Sequence, residues 1–138
     1  MDEKIGIVVS EYNADITELM REIAEEHIKF LGAKTAEVIK VPGAFEIPLA
    51  AKKLAEKKEI DGIVTLGAVI EGDTSHDEVI AATVAKKISD ITVSSGKPIS
   101  LGISGPGMTR ADGVKRIEGY SKRAVEATVK MIRMMKRP

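Results

Sequence analysis

The sequence predicts a three-layer α/β domain over residues 1–138, built on a four-stranded parallel sheet, and three observations carry that prediction. Short β-branched runs alternate four times with longer segments whose apolar residues recur every three or four positions. The run at 5–9 is short, apolar and β-branched, as in a strand buried on both faces, and that at 61–69 is the most apolar of the chain. Glycine and proline separate most of the segments. A βαβαβαβα order requires crossovers that cover both faces of a parallel sheet.

Ile5–Val9 is the first strand. Asn13–Leu31 then carries Ile16, Leu19, Met20, Ile23, His27, Phe30 and Leu31 at helical spacing, with Asp15 and Glu18 in capping-box register and Gly32 as the stop. Thr35–Val41 reads as the second strand, broken by Pro42-Gly43. Phe45–Lys58 follows as a helix that tolerates Pro48 in its first turn. Asp61–Val69 is the most apolar strand and takes a central place. Ser75 and Glu78 form a second capping-box pattern, opening a helix that runs to about Ser94. Gly96-Lys97-Pro98 breaks the chain before a fourth strand, Ile99–Ser104, and Gly105-Pro106-Gly107 reads as a turn. Thr109–Lys136 is helical but interrupted by Gly113 and Gly119, which predicts a short helix followed by a long one.

Composition narrows the function classes. Lys plus Arg and Asp plus Glu each number 21, so the net charge is zero and the electrostatic footprint of a nucleic-acid binder is missing. The same balance leaves self-association unopposed. The chain has no cysteine, which excludes disulfides, thiolate nucleophiles and Cys-based metal sites. No apolar stretch reaches the roughly 20 residues that span a bilayer, and the N-terminus lacks the basic start and long apolar core of a signal peptide. The expectation is a cytoplasmic protein with no nucleic-acid or membrane partner. Two histidines 49 positions apart give no metal-binding spacing.

In an open parallel sheet the ligand crevice lies beyond the carboxyl ends of the strands. That rule selects Ser10–Asn13, Val41–Glu46, Ala68–His76 and Ser104–Arg110. Each candidate there admits two readings. His76 is either a proton-transfer group, since a histidine titrates near neutral pH, or an exposed residue at a capped helix start. Gly72-Asp73-Thr74 is either an anion-holding turn at a helix N-terminus or an ordinary cap. Tyr12 either stacks on a planar heterocycle or packs. Glu46 either meets the helix dipole or accepts hydrogen bonds from a polyol. Lys115, Arg116, Lys122 and Arg123 either complement helix ends or reach a phosphate. Gly105-Pro106-Gly107-Met108-Thr109-Arg110 lacks the third glycine of a dinucleotide fingerprint and follows the wrong strand. His27, among Glu25, Glu26 and Lys29, reads as structural.

Taken together, IGIVVSEYN at 5–13, VPGAFEIP at 41–48, GAVIEGDTSHDEV at 67–79, PISLGIS at 98–104 and KRAVEA at 122–127 resemble the 6,7-dimethyl-8-ribityllumazine synthase family, in an archaeal-like form. The resemblance spans nearly the whole chain. It implies a flavodoxin-like three-layer α/β/α sandwich and a cofactor-independent transferase of riboflavin biosynthesis, and it implies no metal. Its reaction joins 5-amino-6-(D-ribitylamino)uracil to 3,4-dihydroxy-2-butanone 4-phosphate, giving the lumazine, phosphate and water. It further implies homopentamers, often arranged as an icosahedral shell, with active sites between subunits.

The resemblance also implies residue roles. Tyr12 corresponds to the aromatic on the pyrimidine, with Asn13 beside it. Ala44, Phe45 and Glu46 correspond to the ribityl segment, Val69 and Ile70 to backbone contacts with the pyrimidine. Gly72, Asp73 and Thr74 correspond to the phosphate turn, and His76 to the proton-transfer histidine. Arg116, with Lys115 as the neighbouring alternative, corresponds to a phosphate arginine from an adjacent subunit, and Arg123 to a position often held by lysine. Leu101 stands where bacterial members commonly carry phenylalanine, and Glu71 where arginine is frequent. His76 meets Asp77-Glu78-Val79 one residue earlier than the common pattern. The chain also starts almost at its first core strand, without the extension by which many members pair with a neighbour. An archaeal-type riboflavin synthase, a non-catalytic flavodoxin-like binding module and a phosphotransfer receiver are the rival readings. The first typically lacks the GxTxH turn, and the last lacks its acidic cluster after the first strand.

Overall fold

The computed structural model describes residues 2–72 and 76–137. Four parallel strands, β1 (Lys4–Ser10), β2 (Lys34–Val41), β3 (Gly62–Ile70) and β4 (Ile99–Met108), form one sheet in the order β2-β1-β3-β4. This is the flavodoxin-like α/β fold. Helices α1 (Ala14–Phe30), α2 (Ile47–Ala55), α3 (Asp77–Ser95), α4 (Arg110–Lys115) and α5 (Ile117–Met135) flank it, and one 3₁₀ turn, Ala44–Glu46, precedes α2.

The sheet is buried on both faces because its two inner strands feed two cores. From β1, Ile5, Ile7 and Val9 enter a core shared with α1 and α5, while Val8 points into a second core with α2 and α3. From β3, Val64, Leu66, Ala68 and Ile70 join the first core and Ile63 and Val69 the second. The period-two alternation of a strand thus divides one largely apolar run between two layers, and the one buried hydroxyl in β3, Thr65, donates to Ser100 O at 2.7 Å. Helices α1 and α5 bring Ile16, Met20, Ala24 and Ile28, and Ala124, Val125, Val129 and Ile132, to the first layer.

Local signals explain most element ends. Helix α1 stops at a Schellman motif: the Ala33 N–H donates to Ile28 O and the Gly32 N–H to Lys29 O, both at 3.0 Å. Pro48 sits in the first turn of α2, where its missing N–H costs nothing.

Four expectations need correction. The first helix is not capped by Asp15 and Glu18. Its cap position is Asn13, Asp15 lies in the first turn and pairs with Arg110, and Glu18 pairs with Arg21 and Lys40. A capping box does occur, but at Thr109–Asp112, where the Thr109 hydroxyl accepts from the Asp112 N–H and the Asp112 carboxylate from the Thr109 N–H. Strand β4 continues past Ser104. Ala68 pairs with Ser104 and Ile70 with Met108, so Gly105-Pro106-Gly107 is a bulge within the ladder rather than a terminal turn. Gly105 has φ 109° and lies so close to β3 that a Cβ would come within 2.3 Å of Val69 O, a position only glycine can hold. The C-terminal region is a short helix followed by a long one, as expected, but the break falls at Arg116 and not at the glycines: Gly113 lies inside α4 and Gly119 inside α5. The capping pattern that begins at Ser75 falls outside the described residues. His76, expected in the first turn of α3, occupies its cap position. Among the described residues no helix is long and apolar enough to cross a membrane.

Candidate active site

The order β2-β1-β3-β4 reverses direction at β1: the chain leaves toward β2 and returns to β3 on the other side. A crevice forms at such a switch because the loops after the two strands diverge to opposite faces. Here it holds about 360 Å³ and is lined by Tyr12 after β1, Gly43 to Glu46 after β2, and Ala68 to Ile70 at the end of β3. Ile80, one turn into α3, closes another side.

Backbone bonds carry the first loop alongside the second. The Glu11 N–H donates to Val41 O at 2.7 Å and the Tyr12 N–H to Pro42 O at 3.0 Å. Two aromatic side chains stand exposed at the rim, Tyr12 at 57% and Phe45 at 61% of full exposure. In a chain with four aromatics in all, two meeting at one crevice is a concentration that packing does not require. Glu46 occupies the cap position of α2 without bonding the helix through its side chain. Its carboxylate instead folds back toward Gly43, where a Cβ would lie 3.2 Å from Oε1. The crevice therefore offers two exposed aromatic faces, a carboxylate, and the polar backbone at the end of a strand.

Asn13 ties this region together. Its backbone is left-handed, with φ 65° and ψ 47°, a conformation asparagine tolerates better than most residues. Its Nδ2 donates to Ala68 O at 3.1 Å, joining the loop after β1 to the end of β3. Its carbonyl accepts from the Ile16 and Thr17 N–H groups at 2.9 and 3.0 Å, starting α1.

On the far side, His76 is exposed at the start of α3, and its carbonyl accepts from the Ile80 N–H at 2.9 Å. It thus sits one turn before the residue that closes the crevice. Gly72 is exposed, with φ 91°. Asp73 and Thr74, the other expected members of the phosphate turn, lie outside the described residues. Asp77 accepts from the Gly107 N–H at 3.3 Å, which fixes the start of α3 to the β4 bulge.

Three sequence-selected residues do not reach this crevice within one chain. Leu101 pairs in register with Thr65, well before the carboxyl end of β3, and lines a separate groove of about 360 Å³ with Tyr120 and Arg123. The Arg123 guanidinium lies over the Tyr120 ring, 5.3 Å from its centroid, and Nε donates to Gly119 O at 3.2 Å. Arg116 is exposed at the junction of α4 and α5, with Lys115 just before it. Close by, the Asp112 carboxyl is held below its ordinary range, first by the Thr109 hydroxyl, then by the Thr109 N–H, with smaller attraction from Arg116 and Lys115. His27 is structural, as its surroundings suggested: Nε2 meets Glu126 at 2.7 Å, linking α1 to α5, and the ring stacks on Phe30. Sequence reasoning missed Ile80 and the Asn13–Arg110–Asp15 cluster. No local spacing announces a contact between residues 95 and 97 positions apart. Among the described residues no group of acidic or histidine side chains could hold a metal ion.

A family model described as 6,7-dimethyl-8-ribityllumazine synthase matches residues 2–137. A protein of that name from Methanopyrus kandleri is 54% identical over 133 residues, covering 96% of this chain and 94% of its own. Its namesake from Archaeoglobus fulgidus is 52% identical, with 96% and 92% covered, and that from Metallosphaera sedula 57%, with 96% and 88% covered. The chain belongs to the 6,7-dimethyl-8-ribityllumazine synthase family.

Proposed function

We propose that this chain condenses 5-amino-6-(D-ribitylamino)uracil with 3,4-dihydroxy-2-butanone 4-phosphate in the crevice at the β1/β3 switch, releasing 6,7-dimethyl-8-ribityllumazine, phosphate and water. The observation that carries this reading is the meeting of Tyr12, the Ala44-Phe45-Glu46 segment and Val69-Ile70 around one crevice, from three separate loops. A planar heterocycle stacks on Tyr12, and the strand-end backbone at Val69 and Ile70 bonds its polar edge. The ribityl hydroxyls donate to Glu46. The phosphate lies at Gly72, Asp73 and Thr74, before the N-terminus of α3, where free N–H groups and the helix dipole favour an anion.

The chemistry is redox-neutral and turns on position and proton movement. The substrate amine attacks the ketone carbon and water leaves to give an imine. A proton is then removed from carbon as phosphate departs, leaving an enol that tautomerises to a ketone; the ribitylamino nitrogen adds to that carbonyl, and a second water leaves as the ring closes. Holding two substrates in register lowers the barrier by up to about 10 kcal/mol in the best intramolecular cases. His76 at the rim moves the protons, a role typically worth about 100- to 10,000-fold. No cofactor is required for these steps.

Leu101, Arg116 and Arg123 then belong to a neighbouring copy's site, completing its pyrimidine and phosphate contacts. Their separation from the crevice within one chain supports a shared site. The exposed apolar side chains Leu49, Val79 and Val93 on α2 and α3 support self-association, as a homopentamer or a larger shell. We place the enzyme in the cytoplasm, acting as one domain.

The test is phosphate release together with lumazine absorbance when both substrates are supplied. The wild-type protein should produce both in step, and His76→Ala should lower turnover by about 100-fold or more. Lumazine disproportionation without phosphate release would favour the riboflavin synthase alternative. Binding without turnover would favour a flavin- or lumazine-binding module.

A further inference from the structure

Arg110 reaches from the start of α4 to the loop after β1. Its Nη2 donates to Asn13 Oδ1 at 2.7 Å and its Nη1 to Asp15 Oδ2 at 2.5 Å. This pairing fixes which way the Asn13 amide faces. With Oδ1 against a guanidinium, the NH₂ group must point the other way, and there it donates to Ala68 O at 3.1 Å. A flipped amide would set NH₂ against a cation and leave a carbonyl facing a carbonyl.

One guanidinium thus holds together three of the four strand ends: β1 through Asn13, β3 through Ala68, and β4 through its own position two residues after Met108. Asn13 directly follows Tyr12, and its left-handed backbone sets the direction in which the chain enters α1. Ala68 directly precedes Val69 and Ile70. The distance between the aromatic face and the strand-end backbone is accordingly set by a bridge that Arg110 orients.

We propose that Arg110 is a positioning residue for the pyrimidine half of the site, acting through Asn13 to hold the Tyr12 loop against the end of β3. The inference rests on the lumazine synthase reading of the crevice. Two features separate it from a phosphate ligand: both terminal nitrogens already donate to protein oxygens, and the Asp15 carboxylate balances the charge. The guanidinium is half exposed, so its removal leaves no buried unpaired charge and the fold should tolerate the change.

The test is steady-state kinetics with each substrate varied in turn, on wild type, Arg110→Ala, Arg110→Lys, Asn13→Gly and the Arg110→Ala/Asn13→Gly double variant. Glycine at 13 suits the left-handed backbone and removes only the amide. Arg110→Ala should raise KM for the pyrimidine about tenfold, the size expected for a lost charge-assisted hydrogen bond, while KM for the butanone phosphate stays within about twofold. Arg110→Lys should recover part of the loss, because one ammonium can orient the amide oxygen but not grip Asp15 as well. In the Asn13→Gly background, Arg110→Ala should add little, the signature of residues acting as one unit. An unchanged pyrimidine KM, a rise confined to the phosphorylated substrate, or full additivity would each overturn the proposal. If Arg110→Ala melts well below wild type, Arg110→Gln replaces it, with the same outcomes deciding. Wild-type protein that forms no lumazine would overturn the reading of the site and this inference with it. Normal wild-type turnover with an unaffected Arg110→Ala would overturn this inference alone.

Discussion

At the scale of single residues, the candidate site is built from side chains left exposed by the fold. Tyr12 and Phe45 are more than half exposed, and Glu46 and His76 face solvent, each at the end of a strand or the start of a helix. Such positions cost stability little to change, so substitutions there report on function more than on folding. Arg116 gives the clearest case. It is exposed at the α4–α5 junction, and its attraction to Asp112 is among the weaker influences on that carboxyl. Arg116→Ala should therefore leave the melting temperature near wild type while raising KM for the butanone phosphate well before KM for the pyrimidine. Substrate-by-substrate kinetics checks this, and equal effects on the two substrates would assign the arginine a structural role instead.

At the scale of elements, each connection is closed by a specific contact. Helix α5 is pinned to the start of the chain by Arg133, which donates to both oxygens of Glu3, at 2.9 and 3.1 Å, and to Leu31 O at the end of α1. The Glu3 carboxyl is buried, and its bonds to Arg133 hold it below its ordinary value of 4.5 despite the opposing effect of burial. A carboxyl whose folded value is depressed binds fewer protons folded than unfolded. Its contribution is complete above the ordinary value and disappears as pH falls through the depressed one. Because Arg133 is half exposed, the pair contributes only about 1 kcal/mol. Denaturant titrations of wild type and Glu3→Gln should differ by about that amount at pH 7 and converge as pH falls through the depressed value. A gap that persists into strong acid would show that packing, not charge, holds this corner.

At the scale of the whole molecule, the sheet order places two separate grooves on one chain. The crevice lies at the β1/β3 switch, whereas Leu101, Tyr120 and Arg123 line a separate groove beside β4, the sheet's outer strand. A chain of zero net charge with exposed apolar residues on α2 and α3 has little electrostatic reason to stay single. If neighbouring copies complete one another's sites, sedimentation should show a pentamer or larger at assay concentrations. Specific activity should then fall on dilution as the assembly dissociates. A monomer with full activity would require every contact to come from one chain.

The layered architecture was legible in the sequence because period and length suffice for it. A run such as Ile5–Val9, apolar on both alternating faces, can only lie between two layers, and four short strand-like runs separated by helical segments leave few topologies. The loops after the strands were legible for the same reason, and with them Tyr12, Glu46 and His76. Some local signals misled, since chemistry suited to one role can serve another. Asp15 and Glu18 have capping spacing but are used in ion pairs, and Gly105-Pro106-Gly107 has turn composition but bulges within a ladder. What only the tertiary structure decided is how the loops are fixed to one another. Asn13, Ala68 and Arg110 are far apart in sequence and meet only once β1, β3 and β4 are paired. Periodicity records which face of an element is buried, but not which distant side chain will meet it, because that depends on strand order and register.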